Sequence, residues 1–158
     1  MEPRIKREAP SITTDLRSDT VQVPSVIRNC SGIRIFGKRI KSLIFTTDIA
    51  IILNNDADAV IAVYPFTPHP AVIQSIANVS TIPILSGVGG GTTQGKRSAN
   101  ISLFSEAQGS LAVVVNAPTP IDTIKQIEET VDIPIVCTIV TEYMDIQGRL
   151  DAGVDILN

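Results

Sequence analysis

The sequence has no tryptophan, one histidine and two cysteines, and only 4% of its residues are aromatic. Cys30 and Cys137 stand 107 residues apart, in no CxxC pattern and with no histidine beside either. That spacing fits neither a zinc site nor a disulfide framework. It leaves two reduced, buried thiols in a cytoplasmic protein as the expectation. Long apolar runs are also absent. None approaches the roughly 18 residues that a membrane-spanning helix takes. Met1–Ser11 is charged and contains proline, without the apolar centre of a signal peptide. Charge is scarce at 18%, against 44% hydrophobic residues, which excludes a disordered tail or a coiled coil. A chain of 158 residues is one ordinary domain by length. It buries roughly 70% of its unfolded surface on folding and needs no disulfide or metal staple.

What charge there is lies unevenly. Residues 1–41 hold nine Lys/Arg against four Asp/Glu, a local +5, whereas residues 42–158 carry a local −8. The basic residues, from Arg4, Lys6 and Arg7 to Lys38, Arg39 and Lys41, are dispersed and lack interleaved aromatics. That pattern argues for pairing with the acidic remainder and against nucleic acid. The expected division is an irregular basic segment, 1–41, packed on a barrel-like unit, 42–158. Pro24–Asn29 suits a short helix stopped by Gly32.

From Ser42 onward apolar, β-branched runs recur: Ser42–Phe45, Ala59–Tyr64, Ile82–Leu85, Leu111–Val115, Ile133–Val140 and Val154–Leu157. Runs of this length read as buried strands. Between them Asp48–Asn54, Pro70–Asn78, Arg97–Gln108, Ile121–Thr130 and Glu142–Ala152 suit helices. Ile121, Ile124 and Ile127 make one apolar stripe, and Gly153 stands where a helix stop is expected. Alternating strands and helices with short connections define an α/β fold with a parallel sheet. The fold expected is an incomplete TIM (β/α)8-type barrel of about six βα units, since eight units take about 250 residues. The alternative is an open doubly wound parallel sheet. An internal echo supports the two-unit rhythm. Thr67–Pro68 with Ile82–Pro83–Ile84 matches Thr119–Pro120 with Ile133–Pro134–Ile135, at offsets of 52 and 51 residues. Proline at helix and strand starts is also ordinary local grammar.

Parallel α/β folds take ligands at the carboxyl ends of their strands. Those ends carry Asp48, His69 between two prolines, the run Gly87–Thr92, Asn116, Glu142 and Asn158. Asp48 and Glu142 are candidate general bases, and each also suits the first turn of a helix. His69 is a candidate base or hydrogen-bond donor, or a solvated loop histidine. Gly90-Gly91-Thr92-Thr93-Gln94-Gly95-Lys96-Arg97 nearly spells a phosphate loop, with Arg97 where the magnesium-binding hydroxyl belongs. A nucleotide-binding α/β domain is therefore one alternative. The broader expectation is anion binding by Gly89, Gly90, Gly91, Thr92, Lys96, Asn116 and Asn158. No cofactor is implied, and a divalent metal stays open.

Phe45-Thr46-Thr47-Asp48, Tyr64-Pro65-Phe66-Thr67-Pro68-His69-Pro70, Gly87-Val88-Gly89-Gly90-Gly91-Thr92 and Val115-Asn116-Ala117-Pro118-Thr119-Pro120 carry a family resemblance. From about Pro3 to Asn158 the chain resembles bacterial aldolase-type TIM-barrel proteins labelled hydrolase. More distantly it is similar to the ribulose-phosphate-binding barrels and sugar-phosphate epimerases. The resemblance implies a hydrolase, isomerase or lyase acting on a small anionic, phosphorylated metabolite. It also implies two further βα units, with a glycine-rich loop after the seventh strand. By position it brings over Asp48, His69, the glycine loop, Asn116 and Glu142. A six-strand barrel leaves two unpaired edges. Gly32–Phe36 has strand character and suits covering one of them. A homo-oligomer, or a catalytically incomplete pairing module, is the alternative.

Overall fold

The structure, a computed structural model, describes residues 9–158 apart from Asp19. The basic residues Arg4, Lys6 and Arg7, and most of Met1–Ser11, lie outside the described residues. The first described elements are a helical turn, α1 (Asp15–Ser18), and a 3-10 turn at Ser25–Asn29. A hairpin follows, β1 (Ile33–Ile35) and β2 (Lys38–Ile40). Six parallel strands then alternate with helices: β3 (Leu43–Phe45), α2 (Ile49–Leu53), β4 (Ala59–Ala62), α3 (Pro70–Val79), β5 (Ile84–Gly89), α4 (Lys96–Ala107), β6 (Ala112–Val115), α5 (Ile121–Glu128), β7 (Ile135–Cys137), α6 (Ile146–Asp151) and β8 (Ile156–Leu157).

The strands pair in chain order, β3-β4-β5-β6-β7-β8, every pair parallel. Such an order has no reversal, so it lacks the switch point of a doubly wound sheet. The side chains agree. Ile52 and Ile76 of α2 and α3 pack on Val60, Ala62 and Ile84. Ala99, Ile124, Ile127 and Ala152, from α4 to α6, pack on Val88, Val113, Val115, Ile135 and Cys137. Strand residues alternate faces, and the registers put all of these on one face. The opposite face holds Ala59, Ile61, Leu85, Ala112, Val114 and Val136, each at most 4% exposed with no helix over it. A sheet that buries its own helix-free face is curled around it. This is six strands' worth of a (β/α)8-type barrel, and the doubly wound alternative is set aside.

The basic segment is more regular than its sequence suggests. Its hairpin pairs with neither edge of the six-stranded sheet. Instead Ile40 joins the helix-free cluster, and Ile35 is 4% exposed. The edge strand β3 leaves Leu43 44% and Phe45 64% exposed. The sequence echo has a structural counterpart. Pro83 and Pro134 precede alternate strands, and their carbonyls accept from Val60 and Val113 at 2.9 and 3.0 Å. Proline costs nothing there, because only its carbonyl joins the ladder.

Part of the basic excess is answered as expected. Arg28 pairs with Asp56 at 2.6 Å. Asp58 Oδ2 accepts from the Lys41 and Ser42 N–H groups at 2.8 and 3.0 Å, and from Ser42 Oγ at 3.1 Å. Partial burial raises the Asp58 pKa, but these bonds and the charge of Arg28 outweigh it and hold the carboxyl below its usual value. A depressed carboxyl stabilises the fold above its unfolded pKa of about 3.9, and that contribution is lost as pH falls through the lower folded value. Asp58→Asn is therefore expected to cost about 1 kcal/mol near pH 7. Urea unfolding at pH 7 and near pH 3 checks this, with the gap to wild type closing at the lower pH.

Candidate active site cleft

Because all six strands run one way, their carboxyl ends share one rim. Three consecutive rim loops enclose a cleft of about 500 Å³. The β4–α3 loop contributes Tyr64, Pro65, Phe66 and Thr67, the β5–α4 loop Gly90 to Thr93, and the β6–α5 loop Asn116 and Pro118. A smaller recess behind it reaches Val63, Pro68, Gly87 and Gly89.

Local chemistry sets each wall. Pro65, Pro68 and Pro70 fix φ at three places in seven residues. Tyr64 Oη accepts from the His69 N–H at 2.7 Å and pins that loop across its base. In the second loop the strand runs further than its apolar pattern suggests. Gly87, Val88 and Gly89 belong to β5 and are not loop. Gly89 lies in the strand because α4 packs too close for a side chain: a Cβ there would strike Ser98 Oγ. The turn proper is closed by reciprocal bonds, Gly90 N–H to Thr93 O at 3.0 Å and Thr93 N–H to Gly90 O at 3.3 Å. Gly91, at φ 60°, is its first central residue. The Gly95 N–H is spent on Thr123 Oγ1 at 2.9 Å. Gln94 Nε2 folds back onto the Gly91 carbonyl at 2.6 Å. The phosphate-loop reading needs an open run of free N–H groups from Gly90 to Lys96, whereas Gly90–Thr93 forms a closed turn and Lys96 already opens α4. The N–H groups of Gly91 and Thr92 make no hydrogen bond among the described residues.

In the third loop Asn116 donates its N–H to the Gly89 carbonyl at 3.0 Å and accepts from Thr119 N at 3.0 Å. Its side-chain amide makes no hydrogen bond among the described residues. It sits over Gly90, where an added Cβ would meet Asn116 Cβ at 2.5 Å. Gly90 also has φ 132°, a conformation side-chain-bearing residues rarely take. The missing side chain of one loop is the seat of the amide in the next.

Five of the site residues expected from the sequence line neither cavity. Asp48 caps α2, its Oδ1 accepting from Ala50 N at 2.8 Å and Ile51 N at 3.2 Å. His69 caps α3 through Nδ1, which accepts from Ala71 N at 3.1 Å. An accepting Nδ1 puts the neutral ring's proton on Nε2. Glu142 is exposed in a turn, because α6 starts later than the apolar pattern suggests, at Ile146 behind the cap Asp145. Lys96 is the exposed first residue of α4. Asn158 is exposed beside β7, donating to Cys137 O at 2.9 Å and accepting from Ile139 N at 2.8 Å. Among the described residues no group of three His, Cys, Asp or Glu could hold one metal ion.

One residue behind the rim was not visible in the sequence. Arg149 of α6 donates from Nη2 to Ala117 O at 2.8 Å, and from Nη1 to Thr119 O at 3.1 Å and Cys137 Sγ at 3.3 Å. Burial pushes the Cys137 thiol up, against the pull of that guanidinium. Arg149 is the staple of the loop that carries Asn116 and Pro118.

With the geometry in view, the fold has relatives among solved structures. A mandelate oxidase solved with 3,3-difluoro-2-hydroxy-3-phenylpropionic acid is 15% identical, with a TM-score of 0.59 over 94% of this chain and 54% of that one. KGPDC from Streptococcus mutans is 13% identical, with a TM-score of 0.55 over 75% of this chain and 64% of that one. A dihydrodipicolinate synthase from Aquifex aeolicus gives a weaker likeness, 0.49, at 20% identity over 58% of this chain and 37% of that one. The chain therefore spans 37–64% of the length of these structures. No protein-family model matches the chain, and no curated protein matches it. The likeness is one of fold: an aldolase-type barrel architecture, shared with enzymes. No helix among the described residues is long and apolar enough to cross a membrane.

Proposed function

We propose that this chain is the site-bearing part of a TIM-barrel enzyme that binds a small anionic metabolite at the rim cleft and acts on it by acid–base chemistry. The observation that carries this reading is the Gly90–Thr93 turn. Its central N–H groups are unspent among the described residues and line the same cleft as Asn116, whose amide is also unspent there, a set of donors that suits an oxyanion. Lys96 and Arg97, just beyond, add positive potential without entering the cleft. His69 follows Pro68 of the recess and has its Nε2–H uncommitted to the helix cap, so it is the proton donor or base we favour. Asp48 and Glu142 stand at the ends of other strands of the same rim and are the acids in reserve. Hydrolase, isomerase and lyase chemistry all suit such an arrangement. The test is calorimetric titration of the protein with acetate, benzoate, inorganic phosphate and ribose 5-phosphate. Binding of at least one at millimolar strength or tighter, lost in Gly90→Val, is expected. No heat from any of them overturns the reading.

A further inference from the structure

We infer that the ligand of this cleft is an aromatic monocarboxylate, a planar ring bearing one carboxylate, in preference to a phosphate ester. The inference rests on the anion-binding reading above and narrows it. Two observations carry it. First, one wall of the cleft is apolar and aromatic. Phe66 is 77% exposed at the cleft, on a loop stiffened by prolines and pinned by the Tyr64 hydroxyl. An aromatic side chain left this open on a rigid loop adds little to the fold and offers a ring face to a ligand. Tyr64 and Pro65 extend that wall, and Pro118 stands on the β6–α5 loop. A flat ring laid on such a wall costs little entropy, because the wall is already ordered.

Second, the cleft has no charge of its own. None of its lining residues is Lys, Arg, His, Asp or Glu. Backbone N–H groups and one amide match a single, delocalised negative charge. A phosphate dianion placed there gains no cation from the lining, and so lacks the charge-assisted bonds that favour phosphate over a monoanion. A carboxylate at Gly91 and Thr92 leaves the attached ring against Phe66.

Titration of the protein with benzoate, cyclohexanecarboxylate, acetate and inorganic phosphate tests this. Benzoate is expected to bind at least tenfold tighter than acetate or phosphate. Cyclohexanecarboxylate, equally apolar but not flat, falls between. In Phe66→Ser the benzoate-to-acetate ratio is expected to drop to about one with an unchanged unfolding temperature, since an exposed side chain contributes little to stability. Phosphate binding more tightly than benzoate overturns the inference and leaves the anion reading standing. So does benzoate binding that Phe66→Ser does not alter. If no anion binds, both fall together.

Discussion

Replacing Gly90 by alanine is expected to cost about 3 kcal/mol and to weaken anion binding by more than tenfold. Two terms make up the loss. At φ 132° the backbone is in a region that alanine occupies only under strain, about 1–3 kcal/mol. The new methyl also meets Asn116 Cβ at 2.5 Å and Cγ at 3.1 Å, both close to the backbone and unable to swing away cheaply. For a chain of this size each kcal/mol lowers the unfolding temperature by roughly 2–4 °C, so a drop of roughly 6–12 °C is expected by scanning calorimetry. Gly91→Ala is the internal control. It too has positive φ, at 60°, but a Cβ there has open space, so only about 1 kcal/mol is expected. Combining Gly90→Ala with Asn116→Gly removes the collision and keeps the strain, so the double mutant recovers about 1–2 kcal/mol relative to the sum. Equal losses at Gly90 and Gly91, or strict additivity, would show that Asn116 is not seated by Gly90.

The main frame was legible because burial on both faces leaves apolar, β-branched runs. All six strands and the five helices between them fall on those runs and breaks, although β5 runs on to Gly89 and α6 starts only at Ile146. Of the hairpin only the first strand was legible, in the strand character of Gly32–Phe36. Its residues alternate isoleucine with arginine and lysine, and its turn is Phe36–Gly37, with Phe36 itself at φ 46°. The Asn-Gly pair that usually announces such a turn is missing. Helix α4 hides its packing differently. Its buried face is serine, with Ser98, Ser102 and Ser105 bonded to Thr93, Ser98 and Ile101 carbonyls, so no apolar period marks it. Those small residues let α4 approach β5 closely, which in turn demands Gly89 and lengthens the strand. At the site, strand ends located the rim loops, and Gly90, Gly91, Thr92 and Asn116 do line one cleft. The aromatic wall was overlooked because Phe66 in a proline-rich loop looks like any turn. Helix capping explains the placement of Asp48 and His69, since the same residue types serve caps and catalysis.

Arg149 is the harder case, and its replacement by leucine is the second large effect expected. Nothing in its spacing distinguishes it, because its partners lie 30 and 32 residues earlier in the chain. Its guanidinium spans the Ala117 and Thr119 carbonyls, and a hydrogen bond from a charged donor is worth about 1.5–3 kcal/mol. Against this stands the cost of partly burying a cation with no carboxylate on it among the described residues. Arg149 Nε and Thr119 Oγ1 are both buried without a partner among the described residues, so the staple is held at some expense. The net loss in Arg149→Leu is about 2–3 kcal/mol, because two carbonyls lose their donor while the leucine recovers some packing. Arg149→Lys is expected to do little better, since one ammonium cannot span two carbonyls as a planar fork does. The unfolding temperature should fall by roughly 4–12 °C in either variant. Freeing the 117–119 segment also loosens Asn116 next to it, so affinity for benzoate should fall together with stability. In the folded variant below its unfolding temperature, a weakened titration with an intact far-ultraviolet spectrum identifies the guanidinium as a positioning residue for the cleft. Stability within about 0.5 kcal/mol of wild type would instead mean that the loop holds itself.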